Sequence, residues 1–249
     1  EAEDGSAFLV MELLDGETLA DQVERVGTLE VKPLLALVDQ LLDVLVACHR
    51  KGIIHRDIKP ENLFIQRNGK LKVLDFGIAR MREGVRTVAG TMLGTVAFMP
   101  PEQLKGIAVD ARADLFAVGA TMFTVLAGRR VHLAKNDTEL AMKMLTKPAP
   151  PLASVLDSVD SNVARVVDRA LAFLPQRRYP DAQTMRGDVW ALERSGRPPY
   201  ANACEAAGLD PHVLELPPEP KEDTAAKSTR PDLPATDPQL PVFASSPLP

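Results

Sequence analysis

The feature that most constrains this chain is a polar octet, His55-Arg56-Asp57-Ile58-Lys59-Pro60-Glu61-Asn62, set between two apolar patterns of different period. Before it, Leu34, Leu35, Val38, Leu41, Leu42, Leu45 and Cys48 recur at helical spacing, with Pro33 in the first turn and Gly52 where a C-terminal cap belongs. After it, Leu63-Phe64-Ile65 and Leu71-Lys72-Val73-Leu74 flank Arg67-Asn68-Gly69-Lys70, and Asn-Gly between two β-type runs is a hairpin signal. A helix, a polar stretch and a hairpin thus follow one another along the chain.

The flanking segments extend this picture. Residues 7–11 are a short apolar run that reads as one buried strand, and Asp15-Gly16 follows it as a turn. Thr18 with Asp21 three residues on predicts a capped helix ending near Gly27. Residues 76–102 lack periodicity and are rich in Gly, Thr and Arg, as a long functional loop would be. From Asp114 the pattern is helical again, with breaks at Gly128, at residues 148–151 and at Pro175. The longest uncharged stretch, residues 115–128, has 14 residues where a bilayer needs about 20, so it reads as a buried core helix.

Proline divides the 249 residues: 12 of 21 fall in residues 195–249, which also carry eight acidic against four basic side chains. That tail therefore holds −4 of the net −5, and the expectation is a mostly disordered, acidic end with one helical turn near residues 202–207. The balance excludes a basic nucleic-acid arm. Two cysteines, Cys48 and Cys204, provide neither a disulfide framework nor a zinc pattern, which suits a reducing, cytoplasmic setting.

The octet, with Asp75-Phe76-Gly77 thirteen residues after Asn62, resembles the catalytic loop and metal-binding triplet of the eukaryotic-like (Hanks-type) protein kinases. The resemblance covers residues from about Phe8 to Leu192, and the Asp-Phe-Gly-Ile-Ala-Arg run resembles bacterial members. It implies an α+β, protein-kinase-like fold, mainly α-helical with a small β-hairpin, and a serine/threonine kinase that transfers the γ-phosphate of ATP, with Mg²⁺, to protein substrates. Asp57 would orient the acceptor hydroxyl and accept its proton, Lys59 would contact the γ-phosphate, and Asn62 and Asp75 would hold Mg²⁺.

Further roles follow from the same resemblance. Met11, Glu12 and Leu14 would form the gatekeeper and hinge, with the backbone of Glu12 and Leu14 bonding adenine, and Phe64 would lie under the ring. Ordinary core is an alternative for Phe64. His55 would pack with Phe76 beneath the site rather than act in catalysis. Thr95 would bond Asp57 and Lys59, Glu102 would pair with Arg178, and Asp114 would tie down the catalytic-loop backbone, because a buried carboxylate needs such partners. Arg56 would read a phosphate on Thr87 or Thr91, and plain loop residues are the alternative for those threonines.

Three departures stand out. Pro100-Pro101-Glu102 replaces the family's Ala-Pro-Glu, Phe98 stands where Tyr is common, and no glycine-rich loop or strand lysine precedes Phe8. The expected organisation is a last small-lobe strand and hinge in 1–16, a mainly helical C-terminal lobe in 17–194 and the tail from 195. Loss of the phosphate cover commonly costs about 3–4 kcal/mol or more in the transition state. The chain as written is therefore expected to be either part of an active kinase or a weakly active kinase-like binding module. The intact Asp57, Lys59, Asn62 and Asp75 set favours the first.

Overall fold

The structure, a computed structural model, describes residues 12–75 and 95–215. The expected strand at 7–11, Met11, Phe76, Thr87 and Thr91, and the tail beyond 215, lie outside the described residues, as does the Thr95 side chain.

The chain enters through β1 (Gly16–Thr18) and α1 (Leu19–Val26). Thr18 Oγ1 accepts from Asp21 N at 3.1 Å while Asp21 Oδ2 accepts from Thr18 N at 3.1 Å. This is the reciprocal cap the spacing predicts, and Gly27 ends the helix. α2 (Val31–His49) buries Leu34, Leu35, Val38, Leu41, Leu42 and Leu45. It closes as a Schellman turn, with Ile53 N donating to Cys48 O at 3.0 Å and Gly52 at φ 71.

The hairpin follows as β2 (Leu63–Gln66) and β3 (Leu71–Val73), antiparallel, with Ile65 opposite Leu71. β1 adds on the other edge of β2, with Glu17 opposite Ile65, making a three-stranded antiparallel sheet in the order β1-β2-β3. Gly16 thus lies in a strand where a turn was expected. Its φ is 154, and a Cβ there would sit 2.1 Å from the Ile65 carbonyl oxygen, so the close pairing requires glycine. Gln40 of α2 locks the hairpin to the helices, accepting from Leu71 N at 3.0 Å and donating to Gly69 O at 3.1 Å.

Beyond the sheet the described chain is helical: α3 (Pro101–Leu104), α4 (Arg112–Ala127), α5 (Asp137–Thr146), α6 (Ser161–Ala170), α7 (Ala182–Ser195) and α8 (Pro199–Ala206). The expected aperiodic stretch 76–102 therefore ends in ordered structure, a 3₁₀ turn at Thr95–Phe98 and then α3, where Pro101 at the first helical position sets φ without removing a needed donor. α4 is buried on nearly every side, which is why its apolar pattern has no polar face. It packs on α2 and α6, and Gly119 allows the approach to α6, since a Cβ there would be 2.8 Å from Ala170 Cβ. α2 and α7 form the broadest helix contact.

Folded structure also continues past the boundary expected at residue 194. α8 buries Ala201 and Cys204 and packs on α6 and α7. Its proline content misled because Pro198 and Pro199 precede or open the helix rather than interrupt it. Both cysteines are free thiols. Among the described residues no helix is long and apolar enough to cross a membrane.

Candidate active site

The octet lies between the end of α2 and the start of β2, and its shape is set from below by Asp114 in the first turn of α4. Asp114 is fully buried. Its Oδ2 accepts from His55 N at 2.9 Å and lies 2.8 Å from His49 Nε2, and its Oδ1 accepts from Arg56 N at 2.8 Å. These bonds hold Arg56 at φ 65, a left-handed conformation that a branched or long side chain adopts at a cost of about 1–3 kcal/mol. The Arg56 carbonyl in turn accepts from Gln103 Nε2 at 2.9 Å. The turn after Ile58 is tightened by a 3₁₀ segment at Pro60–Asn62.

Three of the expected site residues meet at one carboxylate oxygen. Asp57 Oδ2 lies 3.2 Å from Lys59 Nζ and accepts from Asn62 Nδ2 at 3.0 Å, while the same amide nitrogen donates to Asp57 O at 2.8 Å. Both donor positions of Asn62 are thus turned toward Asp57, and its Oδ1 takes no hydrogen bond among the described residues. That orientation fits an oxygen ligand for a hard divalent cation. Asp75 is exposed at the end of the hairpin, at φ 49, the second left-handed non-glycine residue of the described chain.

His55 joins the two loops. Its ring is fully buried, with Nδ1 accepting from Asp57 N at 3.3 Å and Nε2 at 3.1 Å from Leu74 O, one residue before Asp75. Leu74 N also donates to Asn62 O at 2.8 Å. With Nδ1 accepting, Nε2 carries the proton and donates to Leu74. Burial pushes the imidazole below its ordinary range, against the opposing pull of Asp114, Asp57 and Asp75, so a neutral ring matches the bonds it makes.

A second brace stands behind the loop. Arg178 is buried and pairs with Glu102 at 2.6 and 2.9 Å. Its guanidinium also donates to the carbonyls of Ala172, Arg112 and Phe173 and lies 4.8 Å from the Phe116 ring centroid. The forked, planar cation can satisfy all of these at once, which lysine could not. Glu102 and Gln103, both on α3, therefore fix the segment 98–103 against the octet. Phe98, Met99, Pro100 and Gln103 share a small cavity with Arg56 and Asp57.

The expected nucleotide-side residues are spread along the sheet. Glu12 reaches Lys72 of β3 at 3.0 Å, both side chains being largely exposed, and Leu14 is half-buried. Phe64 is half-buried and opposite Thr18 and Lys72, on the face of β2 away from Leu63 and Ile65, which enter the core. His49, Gln40 and Gln103 escaped the sequence reading. No local pattern marks a polar side chain whose partner lies tens of residues away.

Residues 2–190 match the protein kinase domain family. Serine/threonine-protein kinase Pkn1 of Myxococcus xanthus is 41% identical over 189 residues, covering 72% of this chain and 26% of the relative. PknB of Mycobacterium leprae is 34% identical over 196 residues, covering 78% and 31%, and PknA of Corynebacterium glutamicum is 35% identical over 193 residues, covering 77% and 40%. The chain thus spans well under half the length of these relatives. A Hanks-type octet braced in this way, with relatives of that kind, is a member of a known class: the chain belongs to the protein kinase family, beside bacterial serine/threonine-protein kinases.

Proposed function

We propose that this chain forms the acceptor-side lobe of a serine/threonine protein kinase and transfers the γ-phosphate of MgATP to protein hydroxyls. The single observation that carries the reading is the meeting of Lys59 Nζ and Asn62 Nδ2 on one oxygen of Asp57, at 3.2 and 3.0 Å. Phosphoryl transfer asks little covalent chemistry of a protein and much positioning, so catalysis depends on a fixed carboxylate and a cation at the right separation. Asp57 would hold the acceptor hydroxyl in line and take its proton as the bond to phosphorus forms. Lys59 would meet the charge on the transferring oxygens. Lysine two residues after the aspartate supports serine/threonine rather than tyrosine as acceptor.

Asn62 and Asp75 would hold the cation, which supplies charge neutralisation on the phosphate oxygens when bound. The Asn62 orientation supports this, as does the exposure of Asp75 beside it. Two protein oxygens with the remainder from phosphates and water is the usual arrangement for Mg²⁺. Phe64, turned away from the core, suits a stacking surface for adenine, with the backbone of Glu12 and Leu14 alongside. Arg56 would read a phosphate on Thr87 or Thr91. In support, its Nε is buried without a hydrogen-bond partner among the described residues.

The test is phosphate transfer by the protein expressed from its complete reading frame, beside an Asp57→Asn variant. The variant should be slower by about 10²–10⁴-fold with an unchanged melting temperature. Equal labelling by the two proteins would remove Asp57 from its role.

A further inference from the structure

Residues 129–147 carry five basic and two acidic side chains, which leaves +3 in a chain of net charge −5, so the remainder stands at −8. Here the chain leaves α4 through the left-handed Gly128 and encloses a cavity of about 420 Å³. Arg130, His132, Leu133, Lys135, Asn136 and Asp137 are among its walls. That volume suits several side chains of a bound peptide rather than one small ion.

The wall is held in shape by the local acid. Glu139 pairs with Lys143 at 2.6 Å and accepts from Lys135 N at 2.8 Å, and Lys143 donates to Leu133 O at 2.7 Å. Asn136 caps α5 through Glu139 N at 2.9 Å. Glu139 is therefore already committed, whereas exposed Arg130 and Lys135 form no ion pair among the described residues. Leu133 is 61% exposed on the rim and offers an apolar contact between them. Burial, followed by Lys143, Lys147 and Arg129, pushes the half-buried His132 imidazole below its ordinary range, while its bond to the Lys147 backbone pulls the other way. Lys143, Lys147 and Arg129 thus act on the ring in the same sense as burial, the larger cause.

The position of the cavity gives it a use. α5, which starts at its edge, packs against the turn at Thr95–Phe98 and against α3, the elements that share a cavity with Asp57. We infer that the cavity at the start of α5 docks an acidic, leucine-containing segment of the protein substrate, with carboxylates on Arg130 and Lys135 and an apolar side chain on Leu133. This rests on the kinase reading for the identity of the partner as a substrate. A protein segment is favoured over nucleic acid because the lining carries the carboxylate of Asp137, which repels a phosphate backbone, and no Phe, Tyr or Trp as a stacking platform. It is favoured over a membrane because the surface is concave.

The experiment measures binding directly, by fluorescence anisotropy with the full chain. The probes are a labelled peptide that alternates Glu and Asp with Leu and carries one serine as phosphate acceptor, and its Gln/Asn counterpart with the same serine. The acidic peptide should bind at least tenfold more tightly than the counterpart, and should weaken in 0.5 M salt as exposed charges are screened. The Arg130→Glu/Lys135→Glu variant should bind it about tenfold more weakly. The Arg130→Gln/Lys135→Gln variant should fall between, with an unchanged melting temperature that excludes misfolding as the cause. Equal affinity for the two peptides, parent-like binding by the double reversal, or preferential binding to vesicles containing phosphatidylserine would each overturn the inference. Docking without phosphate transfer by the protein expressed from its complete reading frame would strike the kinase reading alone. Transfer with the same KM for both peptides would strike the docking surface alone.

Discussion

Asp114 and Asp188 are both buried carboxylates that accept three hydrogen bonds, yet they stabilise different kinds of structure. Asp114 holds the backbone of a loop in a conformation it would not adopt alone. Asp188, on α7, accepts from Tyr179 Oη, Tyr200 N and Ala201 N, each at 2.8 Å. Tyr200 and Ala201 are in the first turn of α8, whose own cap position is Pro198 and carries no capping oxygen, so α7 supplies the missing cap from another helix. Burial and the neighbouring Asp188 push the Tyr179 phenol above its ordinary range, which keeps it a donor. In each case N–H and O–H dipoles, rather than a paired Lys or Arg, offset the cost of burying the charge. The first carboxylate spends its bonds on the site, the second on holding the end of the domain to the helices.

The comparison predicts separable losses. Asp114→Ala would orphan two backbone donors and His49, and should cost about 3–5 kcal/mol in urea unfolding. It should also slow phosphate transfer per folded molecule. Full activity in the folded fraction would show that the loop keeps its shape without the brace. Asp188→Ala should cost about 2–4 kcal/mol and expose residues 196–215 to protease, while transfer per folded molecule stays at the parent value. Loss of transfer there would erase the division of labour.

Gly119→Ala probes the apolar platform that both carboxylates stand on. It should destabilise by about 1–3 kcal/mol, with no change in KM, because α4 and α6 must move apart to admit the methyl group. The pH dependence should be the smallest effect. Burial holds the His55 imidazole below its ordinary value of 6.5, so the unfolded chain takes up the proton first as pH falls. The stabilising effect of the neutral ring is complete above about pH 6.5 and is lost as pH falls toward the lower folded value; His132 shifts in the same direction. Melting temperatures between pH 8 and 5 should therefore fall on the acid side, less steeply in a His55→Gln variant. A flat profile would mean that the ring is not constrained to be neutral.

Local readings succeeded where the energetics are local. The Thr18/Asp21 cap, the helical period of α2 with its Gly52 closure and the Asn-Gly hairpin each depend on residues a few positions apart. The octet was legible for a different reason, since its residue types in that order carry a resemblance that periodicity alone does not. What escaped is non-local. β1 pairs with a strand almost fifty residues later, Gln40 bonds a hairpin it does not adjoin, and α8 is capped by Asp188 on α7. A proline-rich composition suggested disorder from residue 195 apart from one helical turn near 202–207; a helix stands there but starts earlier, at Pro199, because two of those prolines lie at a helix start, where they cost nothing.

By itself, the amino-acid order determined the Thr18 cap of α1, the helical face and end of α2, the Asn-Gly hairpin and which polar residues crowd one loop, because capping, periodicity and turn chemistry act over short stretches of chain. Tertiary structure alone decided that Asp57 Oδ2 meets Lys59 and Asn62, that His55 bridges two loops, and that Asp114 and Asp188 brace different regions. A buried carboxylate is stable only where several donors converge on it, and that convergence exists only once distant segments have packed.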